Sequence, residues 1–183
     1  MRIEHTPLEG CFIIHDSLYK DDRGYFFESF NKKKFLETTG VDVEFVQDNQ
    51  SRSAKGVLRG LHFQRGEYAQ AKLVRVLEGS VLDVAVDIRK GSPTFGKSYS
   101  LILSADTPIQ LFIPKGFAHG FLVLSEWATF FYKCDNYYNK DSEAGIAYND
   151  PDLNIEWQLP SDLFLLSEKD KNNPTLKEIV SSL

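Results

Sequence analysis

Between residues 56 and 138 the chain is a close succession of strand-length apolar segments broken by glycine, proline and charged turns: "GVLRGLHFQ", "AKLVRVLEG", "SVLDVAVDIRKG", "SYSLILSAD", "IQLFIPKG", "FAHGFLVLSE" and "WATFFYKCDNYY". Strands of this length at this spacing predict a β-sandwich or barrel. The segment "VLDVAVDI" is the most regular. It sets Leu82, Val84, Val86 and Ile88 against Val81, Asp83, Ala85 and Asp87, the pattern of a sheet with one deeply buried face.

The flanks are different. "CFIIHDSLYKDDRGYFFESF" reads as two short apolar runs around the charged turn "KDDRG". A short helix is predicted in "NKKKFLETTG", with Asn31 as its N-cap and Gly40 as its stop. After "YNDPDLNIEW" the pattern weakens into loops, and "NPTLKEIVSSL" predicts a C-terminal helix starting near Pro174. No repeat or linker divides the 183 residues, so one domain, 1–183, with an all-β core and short flanking helices is expected.

Composition narrows the function. A net charge of −5 argues against a general nucleic-acid binder, and no apolar run approaches the roughly 20 residues needed to span a bilayer. Cys11 and Cys134 lie far apart without metal-ligand spacing, and "MRIEHTPLEG" has no apolar leader; a reducing, cytoplasmic setting is expected. Aromatic residues make up 13% of the chain, which suits cross-strand packing.

Two of the four histidines fall in patterned stretches. Gly56, five residues, His62-x-Gln64 and later Gly79 resemble the first signature of the cupin double-stranded β-helix jelly roll. Pro114-x-Gly116-x-x-His119 resembles the second. Metal-binding cupins carry His-x-His followed by Glu; here Gln64 replaces the second histidine and Glu67 lies too near His62. Two histidines and an amide are a poor donor set, so no metal is expected. If "LRGLHFQ" is a regular strand, Arg59, Leu61 and Phe63 share one face and Leu58, Gly60, His62 and Gln64 the other. His62 and His119 are then expected inside the barrel, and His5 and His15 in surface or structural places.

Eight ordered blocks, "DDRGYFFESFN", "FVQDNQSRS", "GVLRGLHFQ", "QAKLVRVLEG", "DVAVDIRKGSPTFGK", "FIPKGFAHGFLVLS", "YKCDNYY" and "LSEKD", resemble the dTDP-4-dehydrorhamnose 3,5-epimerases from about Phe12 to Lys171. The resemblance implies a dTDP-4-keto-6-deoxyhexose substrate, inversion at C3 and C5, no cofactor, and a homodimer whose N-terminal strands cross the interface. An isolated ketone α-proton has a pKa near ~20 against about 6.5 for an imidazole, a gap on the order of 18 kcal/mol, so the enolate must be stabilised. The resemblance assigns His62 as base, Asp170 as its orienting carboxylate, Lys72 as partner of the oxyanion and Tyr132 as the acid on the opposite face.

It also assigns Arg23 and Arg59 to the diphosphate, and Glu28, Gln47 and Asn49 to the nucleoside. Tyr138 is expected to stack on the base, with His119, Glu143 and Lys169 as further contacts. Taken singly, Lys72 reads as a solvated strand residue, Asp170 as a loop charge and Tyr132 as a core aromatic; the ordered blocks favour function. Glu67, Lys140 and Gln158 depart from prolines common in the family.

Other readings stay open: a single-carbon epimerase, a ketoisomerase of the same fold, a metal-dependent cupin oxygenase, and a non-catalytic sugar-nucleotide binding module.

Overall fold

Where the sequence alternates, the computed structural model, which describes residues 1–182, forms strands. In chain order these are β1 (Arg2–His5), β2 (Phe12–His15), β3 (Tyr19–Asp21), β4 (Gly24–Phe26), β5 (Gln47–Ala54), β6 (Leu58–Gln64) and β7 (Lys72–Glu78). They continue as β8 (Ser80–Asp87), β9 (Ser98–Ser104), β10 (Ile109–Ile113), β11 (Phe117–Val123), β12 (Trp127–Cys134) and β13 (Glu143–Gly145). The helices are α1 (Lys32–Thr39), α2 (Glu168–Lys171) and α3 (Leu176–Ile179). A six-stranded antiparallel sheet, β1-β2-β10-β7-β12-β5, faces a five-stranded one, β13-β6-β11-β8-β9, and β3 and β4 form a separate hairpin. Two facing antiparallel sheets are the sandwich expected from the strand spacing, and they match the cupin-like jelly roll that the two histidine-bearing signatures implied.

The predicted α1 forms for the anticipated reasons. Asn31 Oδ1 accepts from Lys34 N at 3.1 Å, and Gly40, at φ +72°, ends the helix by donating its N–H to the Leu36 carbonyl. Its buried Phe35 packs with Phe12, Phe112 and Val43 on the outer face of the six-stranded sheet, a burial worth about 2–3 kcal/mol. The C-terminal helix starts at Leu176 with Thr175 as cap, one residue beyond Pro174.

The expectation of one buried face on "VLDVAVDI" is corrected. Val81 and Ala85 pack between the sheets, while Leu82, Val84, Val86 and Ile88 pack outward against Ile146, Leu153, Trp157, Leu176 and Ile179. The segment after residue 145 covers that outer face, so β8 is buried on both sides. Asp83 and Asp87, which look like a polar face in the sequence, are both fully buried.

Candidate active site

The strand carrying His62 does not alternate regularly. Between β6 and β11, His119 lies opposite His62 and Phe121 opposite Arg59, so three steps on β6 match two on β11. The extra residue is a β-bulge, and it puts Arg59 and His62 on the same side of the sheet instead of opposite sides. Leu58, Leu61 and Phe63 together fill the outer core. Gly60, at φ +123°, makes this possible: a Cβ there would lie 2.6 Å from the Gly120 Cα, and one on Gly120 2.7 Å from the Arg59 carbonyl oxygen.

The resulting cavity, of about 260 Å³, lies between the two sheets. The five-stranded sheet contributes Arg59, His62 and His119; the six-stranded sheet contributes Asn49, Lys72 and Tyr132, with Phe121 and Phe130 stacked beneath at 4.3 Å. His62 Nε2 lies 2.5 Å from Asp170 Oδ1, and Nδ1 has no hydrogen-bond partner among the described residues. Ser167, the N-cap of α2, holds the carboxylate in place: its hydroxyl donates to Asp170 Oδ2 at 2.9 Å and accepts from Asp170 N at 3.1 Å. Burial works to raise the Asp170 carboxyl, but the hydrogen bond and charge of His62 outweigh it and hold the group below its ordinary value.

Lys72 makes no ion pair among the described residues and lies 5.9 Å from the Tyr132 ring. Burial depresses its ammonium, against the pull of Cys134, Asp83 and Glu143. The Tyr132 hydroxyl, without a hydrogen-bond partner among the described residues, is pushed up to about 12 by burial. Arg59 is held through Nε and Nη2 by the Ser53 hydroxyl at 3.2 and 3.1 Å, a neutral anchor that leaves its charge uncompensated. His119 Nε2 meets Asp83 Oδ2 at 2.9 Å, and burial keeps this imidazole below its ordinary value although Asp83 opposes the shift.

At the cavity rim the Tyr138 hydroxyl donates to Glu143, whose carboxylate also pairs with Lys169 at 2.5 Å. Tyr138 N donates to Gln47 Oε1, and Gln47 Nε2 to Asn49 Oδ1, both at 3.0 Å. A ring of polar side chains thus leads from the surface to a base and an acid on facing sheets. Such a constellation suits proton removal and return at one carbon.

The sequence signature of the dTDP-4-dehydrorhamnose 3,5-epimerases matches residues 5–178. The chain belongs to that family. It is therefore an enzyme, an isomerase of dTDP-rhamnose biosynthesis. It is 54% identical over 180 residues to the dTDP-4-dehydrorhamnose 3,5-epimerase of Escherichia coli, covering 98% of this chain and 97% of that one. The crystal structure of the Legionella pneumophila dTDP-6-deoxy-D-glucose-3,5-epimerase in complex with dTDP-4-keto-L-rhamnose superposes with a TM-score of 0.95 at 51% identity, covering 99% and 95% of the two chains. A 3'-monoepimerase from Streptomyces bikiniensis in complex with dTDP-quinovose is similar at 34% identity and a TM-score of 0.89, covering 97% and 89%.

Within this epimerase framework, the cavity or its rim gathers Gln47, Asn49, Arg59, His62, Lys72, His119, Tyr132, Tyr138, Glu143, Lys169 and Asp170. Arg23 and Glu28 lie elsewhere. Arg23 pairs with Asp21 on the exposed β3–β4 hairpin, and Glu28 with Lys34 and Asn31. His15 pairs with Glu4 at 2.9 Å and His5 packs edge-on against Phe12, as surface and structural residues. Sequence reasoning missed Asp83, Ser53 and Ser167. A carboxylate inside an otherwise apolar strand was the available signal for Asp83; the two serines gave none.

Proposed function

We propose that this cavity converts dTDP-4-dehydro-6-deoxy-D-glucose to dTDP-4-dehydro-L-rhamnose, with His62 as base and Tyr132 as acid. The observation that carries the assignment is their placement: the imidazole and the phenol project from opposite sheets into one cavity, with Lys72 beside the phenol. His62 Nδ1 takes the proton from C3, and the C–H electron pair moves into the enolate, whose charge rests on the C4 oxygen. Lys72 stabilises that oxyanion and Asp170 the new imidazolium. The Tyr132 hydroxyl then gives its proton to C3 from the other face, and the two side chains return to their starting states by proton exchange with water. The same sequence at C5 completes the reaction. Substrate and product are isomers, so the reaction consumes no oxidant or reductant, and each proton removed is replaced.

Arg59 supplies the positive field for the diphosphate, and Tyr138, Gln47 and Asn49 receive the thymidine. His119, Glu143 and Lys169 complete the contacts. We further propose a homodimer in which Arg23 and Glu28, remote from their own chain's cavity, reach the partner's. Two free, buried thiols, Cys11 and Cys134, fit the reducing cytoplasm as its setting. No helix among the described residues is long and apolar enough to cross a membrane.

Steady-state kinetics of Lys72→Met test the mechanism. Loss of the oxyanion partner should lower kcat by about 10²–10³-fold with little change in KM. A variant with normal kcat would remove Lys72 from the mechanism.

A further inference from the structure

Gln64 stands where a metal-binding cupin places its second histidine, and the reaction described above gives it no task. The residue is buried, at 8% exposure, and its side chain makes three hydrogen bonds. Nε2 donates to the carbonyls of Tyr68 at 3.0 Å and Tyr137 at 3.3 Å, and Oε1 accepts from Asn139 N at 2.6 Å. The two donors and the carbonyl acceptor of the amide are thus all used, a combination that neither a carboxylate nor a neutral imidazole can reproduce.

Two of these bonds bracket one residue. Gln64 holds the carbonyl before Tyr138 and the N–H after it, while Gln47 Oε1 accepts from Tyr138 N itself. The neighbouring loops are tied by the same chemistry: Asn136 Nδ2 donates to the Glu67 carbonyl at 2.7 Å, and Gln70 Nε2 to the Asn136 carbonyl at 2.8 Å. Tyr138 is 52% exposed, so packing does little to set its ring. Its backbone must be placed by hydrogen bonds, and Gln64 carries two of them from the rigid end of β6.

We propose that Gln64 is a positioning residue for the nucleoside end of the substrate, acting through the backbone of Tyr138 to hold that ring ready to stack on the base. This rests on the reading of Tyr138 as the stacking partner. The hydrogen bonds of Gln64 run to Tyr68, Tyr137 and Asn139 and none joins it to His62 among the described residues, so its loss should affect binding and leave the proton transfers intact.

Calorimetric titration with dTDP and steady-state kinetics on Gln64→Glu, Gln64→Met, Tyr138→Ala and the Gln64→Met/Tyr138→Ala double variant test this. The Gln64 variants should each weaken dTDP binding and raise KM by about tenfold, with kcat within twofold of wild type, because Gln64→Glu loses both amide donors and Gln64→Met all three hydrogen bonds. In the double variant the effect of Gln64→Met should largely disappear. If Tyr138→Ala leaves dTDP affinity unchanged, the stacking reading itself fails. If Tyr138→Ala weakens binding but both Gln64 variants bind normally, or lose kcat at constant KM, the role of Gln64 is overturned and the stacking reading stands. Should the variants not fold, the wild type decides: the Gln64 side-chain amide protons should exchange slowly and become slower still when dTDP binds. Unchanged exchange on binding would overturn the proposal.

Discussion

His62 lines the cavity with Nε2 committed to Asp170, and the proposed use of its other ring nitrogen as base leads to sharp predictions. Asp170→Asn keeps the shape but loses the negative charge that stabilises the imidazolium, so kcat should fall by about 10²–10⁴-fold in a steady-state assay. Tyr132→Phe should separate exchange from inversion. Deuterium from solvent still enters C3 through His62, while NMR of the product pool shows no inverted sugar. Inversion at the wild-type rate would remove Tyr132 as the acid. The pH profile follows from the same burial. Burial pushes the Tyr132 hydroxyl up to about 12 and depresses the Lys72 ammonium, so a basic fall in kcat is expected from loss of the Lys72 charge, beginning below the ordinary lysine range. Lys72→Arg should move that fall to higher pH. That His62, Lys72, Tyr132 and Asp170 belong together was readable from the ordered blocks; that Asp83 anchors His119 and Ser53 anchors Arg59 was not, because an anchor is defined by a contact between distant strands.

Among the elements, strands built on apolar alternation were legible and those built on pairing alone were not. β5 reads "QDNQSRSA", without a large apolar residue, and is a strand because all eight residues pair with β12. The β6 bulge was equally invisible, since an inserted residue shows only against the partner's register. Gln158 at φ +60° has a backbone conformation that proline cannot adopt, so a Gln158→Pro substitution would force this loop to rearrange. The loop after β8 is latched by Asp87, which is closed to solvent and accepts from Arg89, Ser92 and Thr94. Burial would raise this carboxyl, but those donors hold it at about 2, below its ordinary 3.8. A depressed carboxylate stabilises the fold fully above its unfolded value and loses that contribution as pH falls through its folded one. Denaturant melts of Asp87→Asn should therefore show a loss of about 2 kcal/mol at pH 7 that shrinks between pH 4 and 2. A pH-independent difference would assign the loss to packing instead.

For the molecule as a whole, each sheet is covered on its outer face, by α1 on one side and the C-terminal segment on the other, but the β3–β4 hairpin projects with Tyr19, Tyr25 and Phe26 exposed. If its Arg23 serves a neighbour's cavity, subunits can complement one another. Mixing Arg23→Ala/Glu28→Ala protein with His62→Ala protein should restore up to roughly a quarter of wild-type activity, since a mixed dimer contains one intact site. No recovery after verified subunit exchange would place both residues outside the partner's site. In the proposed reaction one imidazole removes protons on both sides of a ketone. Proton NMR of dTDP-4-keto-6-deoxy-D-glucose in D2O, with wild type and His62→Ala, tests it most directly. The prediction is deuterium at C3 and C5 with wild type and at neither carbon with the variant. Exchange at either carbon that survives in His62→Ala at the wild-type rate would contradict it.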